Sequence, residues 1–129
     1  MNAFASLNLR YVAPGASAAT LSLSATLAYV ASSVGFLDIP EASADGTTFA
    51  VPFGTAGAPK LVALQNNTNQ ALEVAINGSE DVWTLGAGDL WVVGGPTATG
   101  ITSLSVLTTA LTTAQGSVAY VVLGDDVIP

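Results

Sequence analysis

Apolar side chains recur at every second residue through most of this chain, and that spacing constrains the fold more than any other feature of the sequence. Successive side chains on an extended strand point to opposite faces, so a period of two marks a strand with one face on a core. "SLNLRYV" sets Leu7, Leu9 and Tyr11 against Asn8 and Arg10. "TLSLSATLAY" sets Leu21, Leu23, Ala25, Leu27 and Tyr29 against Ser22, Ser24 and Thr26. "TFAVPF" aligns Phe49, Val51 and Phe53, and its Pro52 marks a strand end or a sheet edge. "KLVALQ" is apolar on nearly both faces, and "ALEVAIN" aligns Leu72, Val74 and Ile76 with Glu73 outward. "ITSLSVLTT" and "SVAYVVLG" complete the set. Two segments also admit a helix: a short turn in "LAYVASSVGFL", and a stripe through Leu107 and Leu111 in "SVLTTALTTA", whose β-branched content favours strand.

The punctuation between these runs suits hairpins. "NNTNQ" at 66–70 reads as a polar turn, and Asn77-Gly78 is a pair in which both residue types tolerate positive φ. "GGPTATG" at 94–100 reads as a longer loop and "TAQG" at 113–116 as another turn. The expected fold is all-β: an antiparallel β-sandwich or jelly roll of about eight strands. Residues 1–14 end in "APG" and are expected to form an N-terminal arm or edge strand ahead of one domain over 15–129.

Composition limits what such a fold can do. The chain has 129 residues, nine of them acidic and two basic (Arg10 and Lys60), for a net charge of −7. A typical domain is about a quarter charged. The surface must therefore be built of Ser, Thr, Asn, Ala and Gly, which protect poorly against association. A subunit of a larger assembly is the expectation. Nucleic acid is excluded as a partner, because phosphate binding needs clustered Lys and Arg. With no Cys and no His, thiolate chemistry and the commonest general base and transition-metal ligand are missing. The uncharged stretch from Tyr11 to Leu37 is too rich in hydroxyls for a membrane helix. No signal peptide is expected either, since Arg10 comes late and no compact apolar core with a cleavage site follows it.

Motifs with chemical potential give way to plainer readings. Asn66-Asn67-Thr68 and Asn77-Gly78-Ser79 match the glycosylation acceptor pattern but read as turns. "GAG" at 86–88 lacks the lysine and helix of a phosphate loop. Glu80-Asp81 and Asp125-Asp126 are adjacent pairs, which point to opposite faces of a strand and chelate poorly. Lys60 has no nucleophile elbow near it and reads as the solvent end of a strand. No catalytic residue, metal ligand or cofactor is expected, and the chain reads as a non-enzyme.

"DVWTLGAGDLWVV", residues 81–93, raises the question of assembly most directly. If Gly86 to Asp89 form a hairpin loop, Trp83 faces Val92 and Thr84 faces Trp91. Trp83, Leu85, Leu90 and Val92 then share one face, and Val82, Trp91 and Val93 the other. One sandwich core covers only one face. The expectation is that Trp83 lies in the core while Val82, Trp91 and Val93 meet a neighbour or a folded-back N-terminal segment. A one-residue slip would reverse the assignment. Phe4, Leu7, Leu9 and Tyr11 of the N-terminal segment complete the candidate interface. An exposed Trp91 beside Asp89 also suits a carbohydrate-binding module.

The strings "TTFAVPFGTA", "LVALQNNTNQALEVAINGSEDVWTLGAGDLWVV" and "GSVAYVVLGD" together resemble the small all-β virion proteins of tailed bacteriophages. The shared pattern is a strand ending in Asn66-Asn67-Thr68, one ending in Asn77-Gly78, the Leu85 to Gly88 turn and the closing Tyr120 to Asp125, within residues 47–125. The resemblance implies a structural protein of the virion and carries no catalytic residues. It suggests a capsid decoration or cement protein on the capsid surface. Its expected partners are its own copies, a trimer first, and the major capsid protein or other virion proteins. A tail, baseplate or fibre-attachment subunit is the alternative position.

Overall fold

A computed structural model of the protein describes residues 3–15, 21–40, 47–78, 82–95, 97, 99–108 and 116–126. Within them the chain forms β1 (Ala3–Tyr11), β2 (Leu21–Tyr29), β3 (Ala31–Ile39), β4 (Thr48–Ala50), β5 (Ala56–Asn66), β6 (Leu72–Ile76), β7 (Val82–Leu85), β8 (Leu90–Gly94), β9 (Leu104–Thr108) and β10 (Gly116–Asp126). Every pairing is antiparallel. Two four-stranded sheets, ordered β3-β10-β5-β8 and β4-β9-β6-β7, form the body, and β1 and β2 make a separate two-stranded sheet. No helix occurs among the described residues.

The alternation places the core. Ile39, Val62, Leu64, Val118 and Val122 from the first sheet meet Leu72, Val74, Leu85, Leu104 and Val106 from the second in one buried cluster. Each such side chain contributes about 1.5–3 kcal/mol on leaving water. Thr108 continues the inward series of Leu104 and Val106, and its buried hydroxyl accepts from the Thr47 amide at 3.0 Å. β10 bulges between Leu123 and Asp125. Any side chain at the intervening Gly124 would run into the carbonyl of Gly57.

The helical readings give way to strands. "LAYVASSVGFL" is the end of β2, a bend at Val30 and β3, with Val30 N donating to Gly124 O at 2.9 Å. Residues 104–108 form β9, while 109–115, and with them Leu111 and most of the expected "TAQG" turn, lie outside the described residues. Pro52 does stop a strand at a sheet edge: β4 ends at Ala50 and is the outer strand of its sheet.

The expected hairpin across 82–93 does not form. β7 pairs with β6, placing Trp83 opposite Val74, whereas β8 pairs with β5, placing Trp91 opposite Leu64. The Gly86–Asp89 turn therefore carries the chain from one sheet to the other. Buried Asn66 holds the crossing. Its backbone donates to Asp89 O at 3.0 Å and accepts from Gly88 N at 2.7 Å. Its Nδ2 donates to Leu85 O at 2.9 Å and to Gln70 O at 2.8 Å. These bonds are available only if Leu85 and Leu90 separate toward different sheets.

Of the segment 1–14, residues 3–14 are described, and they take a more definite shape than an arm or edge strand separate from the body. β1 pairs along its whole length with β2, so a boundary after Pro14 falls inside a hairpin. Ala5, Leu7, Leu27 and Tyr29 pack against Leu61, Val121 and Leu123 on the outer face of the first sheet.

Candidate interaction surface

The outer face of the β3-β10-β5-β8 sheet explains why β5 is apolar on both sides. Residues paired across strands share a face, so the registers give three outward rows. Ser32, Leu123, Leu61 and Gly94 form the first; Val34, Val121, Ala63 and Val92 the second; Phe36, Ala119, Gln65 and Leu90 the third. The β1–β2 hairpin covers the middle of the first two rows, which buries Leu61 and Leu123, while Ser32 and Gly94 at the ends of the first row stay exposed. Lys60 ties the hairpin down, donating from Nζ to Ala28 O at 3.4 Å and lying 3.5 Å from the Asp125 carboxylate.

Two corners of this face stay bare. At the β3 edge Val34 and Phe36 are 64% and 72% exposed. At the β8 edge Leu90 and Val92 are exposed beneath the far end of the hairpin, where Leu9, Tyr11, Leu21 and Leu23 are exposed as well. Leu9, Tyr11, Leu21 and Leu23 lie on the hairpin face that packs on the sheet at its other end. Between hairpin and β8 runs a groove of about 350 Å³. Arg10 is exposed on the opposite face of the hairpin from Leu9 and Leu23, and Asp38 is exposed on the outer face of β3.

The residues expected at an interface are scattered rather than gathered. Leu9 and Tyr11 lie on the bare end of the hairpin, and Phe4 is exposed on its opposite face. Leu7 is half-buried against the protein's own sheet. Val82 belongs to β7, opposite Ala75, in the other sheet from Trp91 and Val93. Trp91 is half-buried and packs against the core, whereas Trp83, at the edge of its sheet, is 59% exposed. The assignment of Trp83 to the core and Trp91 to the outside is thus reversed, because the two strands pair with different neighbours. Val34 and Phe36 were hidden in the sequence by the helical alternative for their segment; the signal was there, since both alternate with Ser33, Gly35 and Leu37.

The turn motifs are structural. Asn66 is fully buried, with its Oδ1 accepting from Thr68 N at 2.9 Å and Thr68 Oγ1 at 2.6 Å. Asn77 and Gly78 both have positive φ, and Asn77 Oδ1 accepts from Thr102 N at 2.6 Å and Ser103 N at 3.1 Å. Glu80 and Asp81 lie outside the described residues, and Asp125 faces solvent beside Lys60. No group of three or more His, Cys, Asp or Glu converges among the described residues. The chain matches no known family model, no curated protein and no solved structure.

Proposed function

We propose that the protein is a structural subunit of a tailed-phage virion, a capsid decoration or cement protein that acts through contacts with its own copies and with the shell. The carrying observation is the amount of apolar surface left on a rigid β body: Leu9, Leu23, Val34, Phe36 and Leu90 are each more than half exposed, in a chain with only eleven charged side chains, two basic and nine acidic. Contiguous exposed apolar surface marks an interaction site in a soluble protein. The strand order supports the same reading. β6 pairs with β7, β5 with β8, β4 with β9 and β3 with β10. One long antiparallel hairpin wound round a core would give this nesting, which favours a jelly-roll reading, an architecture found in capsid domains and also in lectins and cupins. The hairpin β1–β2 then serves as the arm. Fold alone does not assign function, so the surface carries the weight.

The test is the mass of the purified protein by sedimentation, with and without capsids. An oligomer that co-sediments with capsids supports the reading. A 12.8 kDa monomer at all concentrations, absent from the capsid pellet, rejects it. A tail, baseplate or fibre-attachment position remains within the same class and would give co-sedimentation with tails instead. Exposed Trp83 favours one further reading, a carbohydrate-binding module. Glycan binding by a monomer, lost in Trp83→Ala, would select it.

A further inference from the structure

Asn77 and Gly78 are the chain's single Asn-Gly pair, and such a pair has a chemistry of its own. The backbone nitrogen after an asparagine can attack the side-chain amide carbon. A succinimide ring closes, the bond from that carbon to the amide nitrogen breaks, and the nitrogen leaves as ammonia with the proton of the attacking N–H. Water then opens the ring. Opening at the side-chain carbonyl leaves aspartate, and opening at the backbone carbonyl leaves isoaspartate, with the side-chain carbons now in the main chain. Glycine hinders the attack least, since it has no Cβ. The other asparagines, Asn2, Asn8, Asn66, Asn67 and Asn69, precede Ala, Leu, Asn, Thr and Gln.

The fold exposes this pair and also pins it. Both residues face solvent, with φ of 55° and 71°. Asn77 Oδ1 accepts from Thr102 N at 2.6 Å, from Thr102 Oγ1 at 3.0 Å and from Ser103 N at 3.1 Å, and Asn77 Nδ2 donates to Gly100 O at 3.1 Å. Both ends of the amide are therefore held by the loop 99–103. That loop is fixed in turn by buried Ile101 and by Thr99, whose N and Oγ1 each donate to Pro59 O at 2.8 Å. We infer that Asn77 is a deamidation site that the fold keeps closed, and that opening of the loop 99–103 makes it react. Ring closure carries the amide carbon onto Gly78 N, back along its own chain and away from the loop across the turn. The four bonds to the loop have to be released first. Local openings of this kind are common in native proteins, so the amide is a slow chemical record of how often this end of the sandwich comes apart.

The test ages the purified protein in mildly alkaline buffer, folded and unfolded in guanidinium chloride, and follows each asparagine by peptide mass spectrometry with isoaspartate labelling. In the unfolded chain Asn77 should lose its amide ahead of every other asparagine. In the folded protein the loss should be slower by about tenfold or more, the ratio for a loop held closed by roughly 1.4 kcal/mol. Ile101→Ala empties the loop's buried anchor and should remove much of this protection while circular dichroism still reads the folded sheets. Thr99→Val removes the hydroxyl that bonds Pro59 O and Ile101 N, and it gives the same test if Ile101→Ala does not fold. Equal rates in folded and unfolded protein, or no loss at Asn77 in the unfolded chain, overturn the inference. Faster loss in the folded protein overturns it as well, and would mean that the three donors on Oδ1 polarise the amide for attack. Folded variants that react no faster than the wild type overturn the part assigned to the loop.

Discussion

Asn66 shows how one polar side chain can set the path of two strands. It is fully buried, yet both of its amide hydrogens and its carbonyl oxygen are satisfied, reaching Leu85 of the opposite sheet and the following turn at Thr68 and Gln70. Asn66→Ala removes the side-chain partner of the Leu85 carbonyl and of the Thr68 amide, while the Gln70 carbonyl keeps the Thr68 hydroxyl. It should cost about 2–4 kcal/mol, or a melting point lower by on the order of 10 °C. A loss below about 0.5 kcal/mol in urea titration would mean that water replaces the side chain. The tryptophans make a second test at this scale. Trp91 packs on the core and Trp83 does not. Trp91→Ala should therefore cost about 3 kcal/mol of folding stability. Trp83→Ala should stay within about 0.5 kcal/mol, as exposed substitutions usually do. Equal losses would show that Trp83 is held by contacts its exposure does not reveal.

Among the elements, the β1–β2 hairpin behaves as a third layer. It shields Leu61 and Leu123, and its own anchor is Leu27, 1% exposed. A buried carboxylate there is costly, so Leu27→Asp should release the hairpin while the eight-strand body stays folded. Limited proteolysis should then remove residues up to about Val30 and leave a resistant remainder. Unfolding of the whole chain in one step would instead make the hairpin part of the core. Much at this scale was legible in the sequence. Period-two alternation marked β1, β2, β4, β6, β9 and β10, a run apolar on nearly both faces marked β5, and Asn77-Gly78 and Pro52 marked a turn and a strand end correctly. Partner choice was not legible. "DVWTLGAGDLWVV" has the pattern of a hairpin, and nothing in those residues reports that Asn66 pulls their turn across the gap between two sheets. The bare corners were only half visible for the same reason. Leu9 and Tyr11 could be read from alternation, whereas Leu90 and Val92 needed the register with β5 before they could be placed outward.

For the whole molecule, charge is a minor term in stability. Among the described residues one ion pair is present, Lys60 with Asp125, and it is partly exposed, which limits it to about 1 kcal/mol. The net charge of −7 adds self-repulsion that salt screens. Stability should therefore rise slightly, by no more than about 1 kcal/mol, between low and moderate salt in thermal melts. A fall would show that attractive pairs dominate. The nested strand order has a further consequence, one of timing. Leu72 meets Leu85 across a short stretch of chain, but Ile39 must wait for Gly116. Closing long loops is slow, so β6–β7 can form early and β3–β10 comes late. β10 lies between β3 and β5. While the ribosome is still making residues 116–126, the first sheet is missing an inner strand, and β3, β5 and the hairpin that rests on them have no finished surface to join. A nascent chain of this kind acquires its sticky corners only after residues 116–126 have been made and β10 has completed the sheet that orients them.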